Sequence, residues 1–145
     1  MELALAGKEV WAVEKEAAAC ELIRRNSERF RTWNLHVTEG SAPEILEGLP
    51  RPDVVFVGGS SGFLAEILDA VHAAAPEARL CISAIALETL QTAASWLEAH
   101  GLEPEITQIS VSRTRKAGDL HLLLANNPVF LITGTPAEQG RSAGS

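Results

Sequence analysis

Short apolar runs alternate with amphipathic stretches along most of this chain. Val10-Trp11-Ala12-Val13 predicts a first strand, and it ends at an acid, Glu14. From about Ala17 to Arg29 the apolar positions take helical spacing, with Ala19, Leu22, Ile23, Asn26 and Phe30 on one side. Leu35-His36-Val37-Thr38 predicts a second strand and Glu39-Gly40-Ser41-Ala42-Pro43 the loop after it. Asp53-Val54-Val55-Phe56-Val57 is a continuous apolar run of the kind found where both faces of a strand are buried, which makes it the best candidate for a central strand. Gly58 to Gly62 turns the chain into a helix whose Leu64, Ile67, Leu68 and Val71 repeat at helical spacing until Pro76 ends it. Arg79 to Ser83 predicts a fourth strand, and Leu90, Ala93, Ala94 and Leu97 line the next helix up to Gly101. Ile106 to Ser112 and His121 to Thr133 are extended with no helix between them, so the sheet should finish in an antiparallel hairpin. Such alternation is the pattern of an α/β fold with a mostly parallel sheet covered on both faces.

The chain's 145 residues and 46% apolar content suit one core, read as a single domain over 1–134 with a polar, flexible tail over 135–145. The longest apolar stretches fall well short of the ~20 residues that span a bilayer. Met1 to Ala6 lacks the basic start of a secretory signal, so a cytoplasmic location is expected. Cys20 and Cys81 stand apart from each other and from any metal-ligand spacing, and read as reduced, buried thiols. The net charge of −7 argues against a nucleic-acid partner. One local exception is the run Arg113-Thr114-Arg115-Lys116, for which two readings stand: a solvated strand end or turn, or a clamp for an anionic substrate.

In a parallel sheet the ligand sits beyond the carboxyl ends of the strands, where loops and helix starts converge. Four loops meet that condition: Glu14-Lys15, Glu39 to Pro43, Gly58 to Gly62, and Ala84-Ile85-Ala86-Leu87-Glu88-Thr89. A carboxylate at a strand end can accept both hydroxyls of a ribose, a role Glu14 is placed to fill. The glycine run lacks the Lys-Ser/Thr pair and the GxGxxG spacing of phosphate loops, so it reads as a tight turn that lets a ligand approach the backbone. No nucleophile and base are paired. His72 and His100 fall near helix C-termini, where positive charge is welcome, and His121 stands close enough to the basic run to reach a substrate.

Taken in order, Val10-Trp11-Ala12-Val13-Glu14-Lys15, Val37-Thr38-Glu39-Gly40-Ser41-Ala42-Pro43-Glu44, Asp53-Val54-Val55-Phe56-Val57-Gly58-Gly59-Ser60 and Ala84 to Thr89 resemble the decarboxylating precorrin methyltransferases of cobalamin biosynthesis. That family comprises the precorrin-6B C15-methyltransferases and the C-terminal half of precorrin-6Y C5,15-methyltransferase. The resemblance implies a Rossmann-like class I S-adenosylmethionine-dependent methyltransferase with sheet order 3-2-1-4-5-7-6. It implies methylation of a tetrapyrrole meso carbon with loss of carboxylate from an acetate side chain. By position, Glu14 would bind the cofactor ribose with Lys15 also on the cofactor, Gly40, Ser41 and Ala42 would lie beside the adenine, and Gly58 and Gly59 beneath the transferring methyl. Ala84, Leu87, Glu88 and Thr89 would wall the substrate side, and Arg113 and Arg115 would hold substrate carboxylates. A homo-oligomer is also implied.

The resemblance has one gap. The family's first strand and glycine-rich turn precede the position of Val10, and the chain is expected to be truncated there, with the first strand missing and cofactor binding weakened. Two further readings follow: a non-catalytic remnant or oligomer assembly module, and a nicotinamide-dependent oxidoreductase using the same acid.

Overall fold

The structure, a computed structural model, describes residues 7–58 and 62–136. The chain divides into two compact units, Met1–Pro50 and Arg51–Ser145.

In the first unit β1 (Val10–Glu14) and β2 (Leu35–Glu39) form a parallel pair, in register from Val10 opposite Leu35 to Glu14 opposite Glu39. The crossover is α1 (Ala17–Phe30), so this unit is a βαβ motif. The helix starts almost directly from the strand, with the Glu16 backbone N–H donating to Glu14 Oε1 at 3.1 Å. Cys20 is fully buried and its Sγ donates to the Glu14 carbonyl at 3.4 Å, which fixes the rotation of the first turn. The inner stripe therefore runs through Cys20 and the partly buried Ile23 and Ser27, while Leu22 and Phe30, expected on the inner side, are exposed. Arg31 ends the helix in the left-handed region at φ 53°. The buried Thr32 then closes the turn, its carbonyl accepting from Ser27 Oγ at 2.9 Å. On the outer side of the strand pair Trp11 stacks on His36, whose Nε2 lies 2.7 Å from Glu9 Oε2.

The second unit holds a four-stranded sheet in the order β3 (Val54–Val57), β4 (Arg79–Ala84), β8 (Val129–Thr135), β5 (Glu103–Ile109). β3 and β4 are parallel, whereas β8 runs antiparallel to both β4 and β5. Counting the family's first strand as the one before β1, the sheet β3-β4-β8-β5 corresponds to the 4-5-7-6 part of the expected order, and the separate pair β1-β2 corresponds to strands 2 and 3. α2 (Leu64–Ala74) buries Leu64, Leu68 and Val71, and Pro76 follows its end as expected. α3 (Leu87–Ala99) buries Ala93, Trp96 and Leu97. It stops at Gly101, whose φ of 72° lets the Leu102 N–H return to the Leu97 carbonyl at 2.9 Å. These helices cover the sheet face that carries Val57, Leu80, Ile82, Ala84 and Ile132, all buried.

Two expectations are corrected. Asp53–Val57 is not central among the described residues: β3 is an edge strand, with Val54 60% and Phe56 51% exposed, because no described element covers the face they share. The terminal hairpin is also more elaborate. Its two extended segments break into four strands, since β5 ends at Ile109 and a separate ribbon, β6 (Ser112–Ala117) and β7 (Leu120–Ala125), precedes β8. Gly118, at φ 61°, opens the ribbon's tight turn with Asp119, as a hairpin needs to match strand twist. The ladders therefore count two parallel and three antiparallel. Among the described residues no helix is long and apolar enough to cross a membrane.

Candidate functional site

The expected cofactor residues of the first unit meet at the carboxyl ends of its two strands. Glu14 closes β1 beside Glu39, which closes β2 in the same register. The Glu14 carbonyl accepts the Gly40 N–H at 3.0 Å, tying the second loop to the first strand. Glu14 is half-buried, and with Oε1 turned to the Glu16 N–H its other oxygen has no partner within the described residues. Such a carboxylate is held in place at one oxygen and open to hydroxyl donors at the other. Lys15 is exposed next to it.

Gly40 is favoured by its backbone, whose φ of 157° side-chain-bearing residues rarely adopt, and by its close neighbour. A Cβ there would collide with Ile45 Cδ1, because the Ile45 N–H donates to the Ser41 carbonyl at 3.2 Å and folds the short helical turn Glu44–Gly48 back over the loop. The Ala42–Pro43 peptide bond is cis. Ser41 is exposed and Ala42 half-buried, so the loop presents a small, side-chain-poor surface next to the acid. The residues fit an adenosyl group in kind: an acid for the ribose and a flat, backbone-rich loop beside it. Glu39 opens the loop expected from the sequence and stands opposite Glu14 in the strand register.

In the second unit Gly58 leaves β3 alongside β4. A Cβ on it would sit 3.1 Å from Ser83 Oγ and 3.3 Å from Phe56 Cε1, so an added side chain would press on both and need them to give by a few tenths of an ångström. Gly59 lies outside the described residues, as do Ser60 and Ser61. Ala84 ends β4 with its methyl in the core at 1% exposure, whereas Ile85 and the expected Leu87 after it are both largely exposed. Glu88 is exposed in the first turn of α3, where the helix start favours an acid, and Thr89 is half-buried.

Arg113 and Arg115 belong to neither loop set. Both lie on β6, facing Leu124 and Leu122 across the ribbon, so the basic run is a strand and not a turn. All of this strand is exposed, and neither arginine forms an ion pair among the described residues. His121 faces Lys116. His72 and His100 end their helices as expected; His100 Nδ1 lies 2.7 Å from the Trp96 carbonyl, and the Trp96 indole N–H donates to Asp69 Oδ1 at 2.8 Å. Cys81 is half-buried beside Phe56, and burial pushes its thiol above the ordinary range. No group of three potential metal ligands comes together among the described residues. The hollow of about 260 Å³ between α1 and β2, lined by Arg24, Ser27, Glu28, Leu35 and Val37, contains none of the expected site residues.

Residues 1–135 match the family described as the precorrin methyltransferase domain. The chain is similar to a probable cobalt-precorrin-6B C(15)-methyltransferase (decarboxylating) of Sulfurisphaera tokodaii, 31% identical over 126 residues that cover 86% of this chain and 66% of that protein. It is similar in structure to precorrin-6y C5,15-methyltransferase of Geobacter metallireducens, with a TM-score of 0.80 and 36% identity over 88% of this chain and 68% of that one. It is also similar to precorrin 8W decarboxylase of Methanobacterium thermoautotrophicum, with a TM-score of 0.85 and 33% identity over 92% and 73%. The chain thus spans just under two thirds of the length of curated relatives.

Proposed function

The chain belongs to the precorrin methyltransferase family, and on that premise we propose that it is an S-adenosylmethionine-dependent C-methyltransferase of cobalamin biosynthesis. In this reading it methylates a precorrin meso carbon, C15, with decarboxylation of an acetate side chain. The class I methyltransferase fold is its setting, with the strand order described above. The observation that carries the proposal is Glu14: a half-buried acid at a strand end, with one oxygen fixed by its own chain and the other open beside the loop Gly40-Ser41-Ala42. The family's relatives do not favour the nicotinamide reading or the assembly-module reading.

When bound, S-adenosylmethionine supplies a methyl group already activated as a sulfonium. The chain's own residues then have to bind, align and exclude, because proximity accounts for most of what such a transfer needs. In this reading the ribose falls to Glu14, with Lys15 beside it, and the adenine to Gly40, Ser41 and Ala42; resemblance to the family assigns Gly58 and Gly59 to the transferring methyl. Leu87, Glu88 and Thr89, with the Ala84 backbone, border the acceptor. Arg113 and Arg115 meet its carboxylates, for which guanidinium is the best geometric partner. The absence of a nucleophile–base pair in the sequence agrees with this division of labour.

The family match runs through both compact units, which supports one methyltransferase domain over 1–134 followed by a tail at 135–145. The reading includes a cytoplasmic enzyme, in keeping with two unpaired thiols. It also includes a homo-oligomer, for which the leucine-rich ribbon β6–β7 offers an exposed apolar surface.

Calorimetric titration with S-adenosylhomocysteine tests the proposal. The parent chain should bind, and Glu14→Ala should weaken binding by roughly 1–3 kcal/mol, the loss expected for hydrogen bonds to a charged group. Equal affinity in the two proteins would remove Glu14 from the site, and no binding by the folded parent chain would remove the methyltransferase reading from this chain.

A further inference from the structure

Val57 and Ile82 are the last bonded pair of the parallel β3–β4 ladder, so Gly58 and Ser83 leave it side by side. Side chains alternate along a strand. Ile82 and Ala84 are buried under the helices, and Ser83, between them, projects to the opposite face with Phe56 and Cys81. Its Oγ stands where a Gly58 side chain would otherwise reach, 3.1 Å from a Cβ built there. Ser83 is half-buried, yet its hydroxyl makes no hydrogen bond with the rest of the chain among the described residues. A partly desolvated hydroxyl with donor and acceptor capacity unspent, at the end of a sheet where ligands bind, is set up to meet a polar atom from outside. Just beyond it Ile85 and Leu87 expose their apolar side chains. The group that fits beside them is largely apolar and carries an oxygen at its edge.

We propose that Ser83 is a specificity residue of the acceptor side, donating a hydrogen bond to a carboxylate or carbonyl oxygen on the rim of an apolar methyl acceptor, while the bare Gly58 keeps that hydroxyl reachable. This assignment rests on the methyltransferase reading and adds to it a residue that none of the expected loop roles includes. Gly58 acquires a reason of its own: an alanine there would push on the Ser83 hydroxyl and the Phe56 ring together. The hydroxyl takes no part in bond making or breaking; it selects and orients the acceptor.

The test uses the whole chain, S-adenosylhomocysteine by calorimetry, and uroporphyrin III, a stable tetrapyrrole with acetate side chains, followed by fluorescence in saturating S-adenosylhomocysteine. Ser83→Ala should bind the porphyrin about tenfold more weakly, the loss expected for one hydrogen bond to a charged acceptor, with S-adenosylhomocysteine affinity unchanged. Ser83→Thr, which restores the hydroxyl, should recover porphyrin binding, a rescue that a merely structural role would not produce. Gly58→Ala should weaken the porphyrin as Ser83→Ala does. Three results overturn the assignment while leaving the methyltransferase reading intact: unchanged porphyrin affinity in Ser83→Ala, a matching fall in its S-adenosylhomocysteine affinity, or no porphyrin binding by the loaded parent chain. Failure of the parent chain to bind S-adenosylhomocysteine overturns both.

Discussion

A side chain on Gly134 would need the space held by the methyl groups of Leu97, since a Cβ built there collides with Leu97 Cδ2, and both residues are buried where β8 meets α3. Gly134→Ala is expected to cost about 1–3 kcal/mol through overpacking, read as a lower urea midpoint with an unchanged slope. A variant as stable as the parent would mean that Leu97 turns aside freely. Cys81, on the opposite sheet face, has its thiol pushed above the ordinary range by burial. The folded chain thus holds that proton more tightly than the unfolded one. The resulting stabilisation is complete below the ordinary thiol pKa and is lost as pH rises through the raised folded value. Cys81→Ala should therefore show a shallower alkaline loss of unfolding free energy than the parent, and superimposable pH profiles would exclude a contribution from this thiol. The place of Glu14 at the end of a strand was legible in the sequence because an acid that stops an apolar run leaves a one-dimensional trace. Ser83 and Gly134 were not, because their roles are set by neighbours from other elements.

Helix α1 ends on Arg31 in the left-handed region, where a Cβ is crowded by the following carbonyl. Arg31→Gly should raise stability by up to about 1 kcal/mol, the usual preference for glycine at this cap, provided that the bonds between Ser27 and Thr32 persist. Chemical denaturation measures it directly, and a loss of stability would show that the arginine side chain contributes more than its backbone strain costs. Periodicity was a good guide to which elements exist: the α1, α2 and α3 helices and the first four strands all stand where spacing and punctuation put them. It was a weaker guide to what covers them. The run Val54–Val57 has the composition of a strand buried on both sides, but Val54 and Phe56 share a face that no described element covers. The break after Ile109 was hidden for a different reason. Ser110 and Val111 are compatible with a continuing strand, and only the pairing of β5 with β8, and of β6 with β7, separates them.

At the scale of the whole molecule the ribbon β6–β7 is the part least explained by its own unit. The register puts Arg113, Arg115 and Ala117 on one face with Leu124, Leu122 and Leu120, and Thr114 and Lys116 on the other with Leu123 and His121. Leu123 is 79% exposed, and the three leucines of the first face are exposed as well. Fully burying an exposed leucine contributes about 1.5–3 kcal/mol; these, 39–79% exposed, contribute a corresponding part each, and together they offset part of the entropic cost of association. Charge acts in the same direction locally. The chain carries −7 overall, which makes copies repel, but the basic run on β6 offsets that charge at the ribbon itself, where repulsion is weakest. The parent chain should therefore sediment as an oligomer, and Leu122→Glu combined with Leu124→Glu should sediment as a monomer with an unchanged circular dichroism spectrum. A parent that is monomeric throughout would show that the ribbon does not serve self-association. An oligomer unmoved by the double variant would place the interface on another surface.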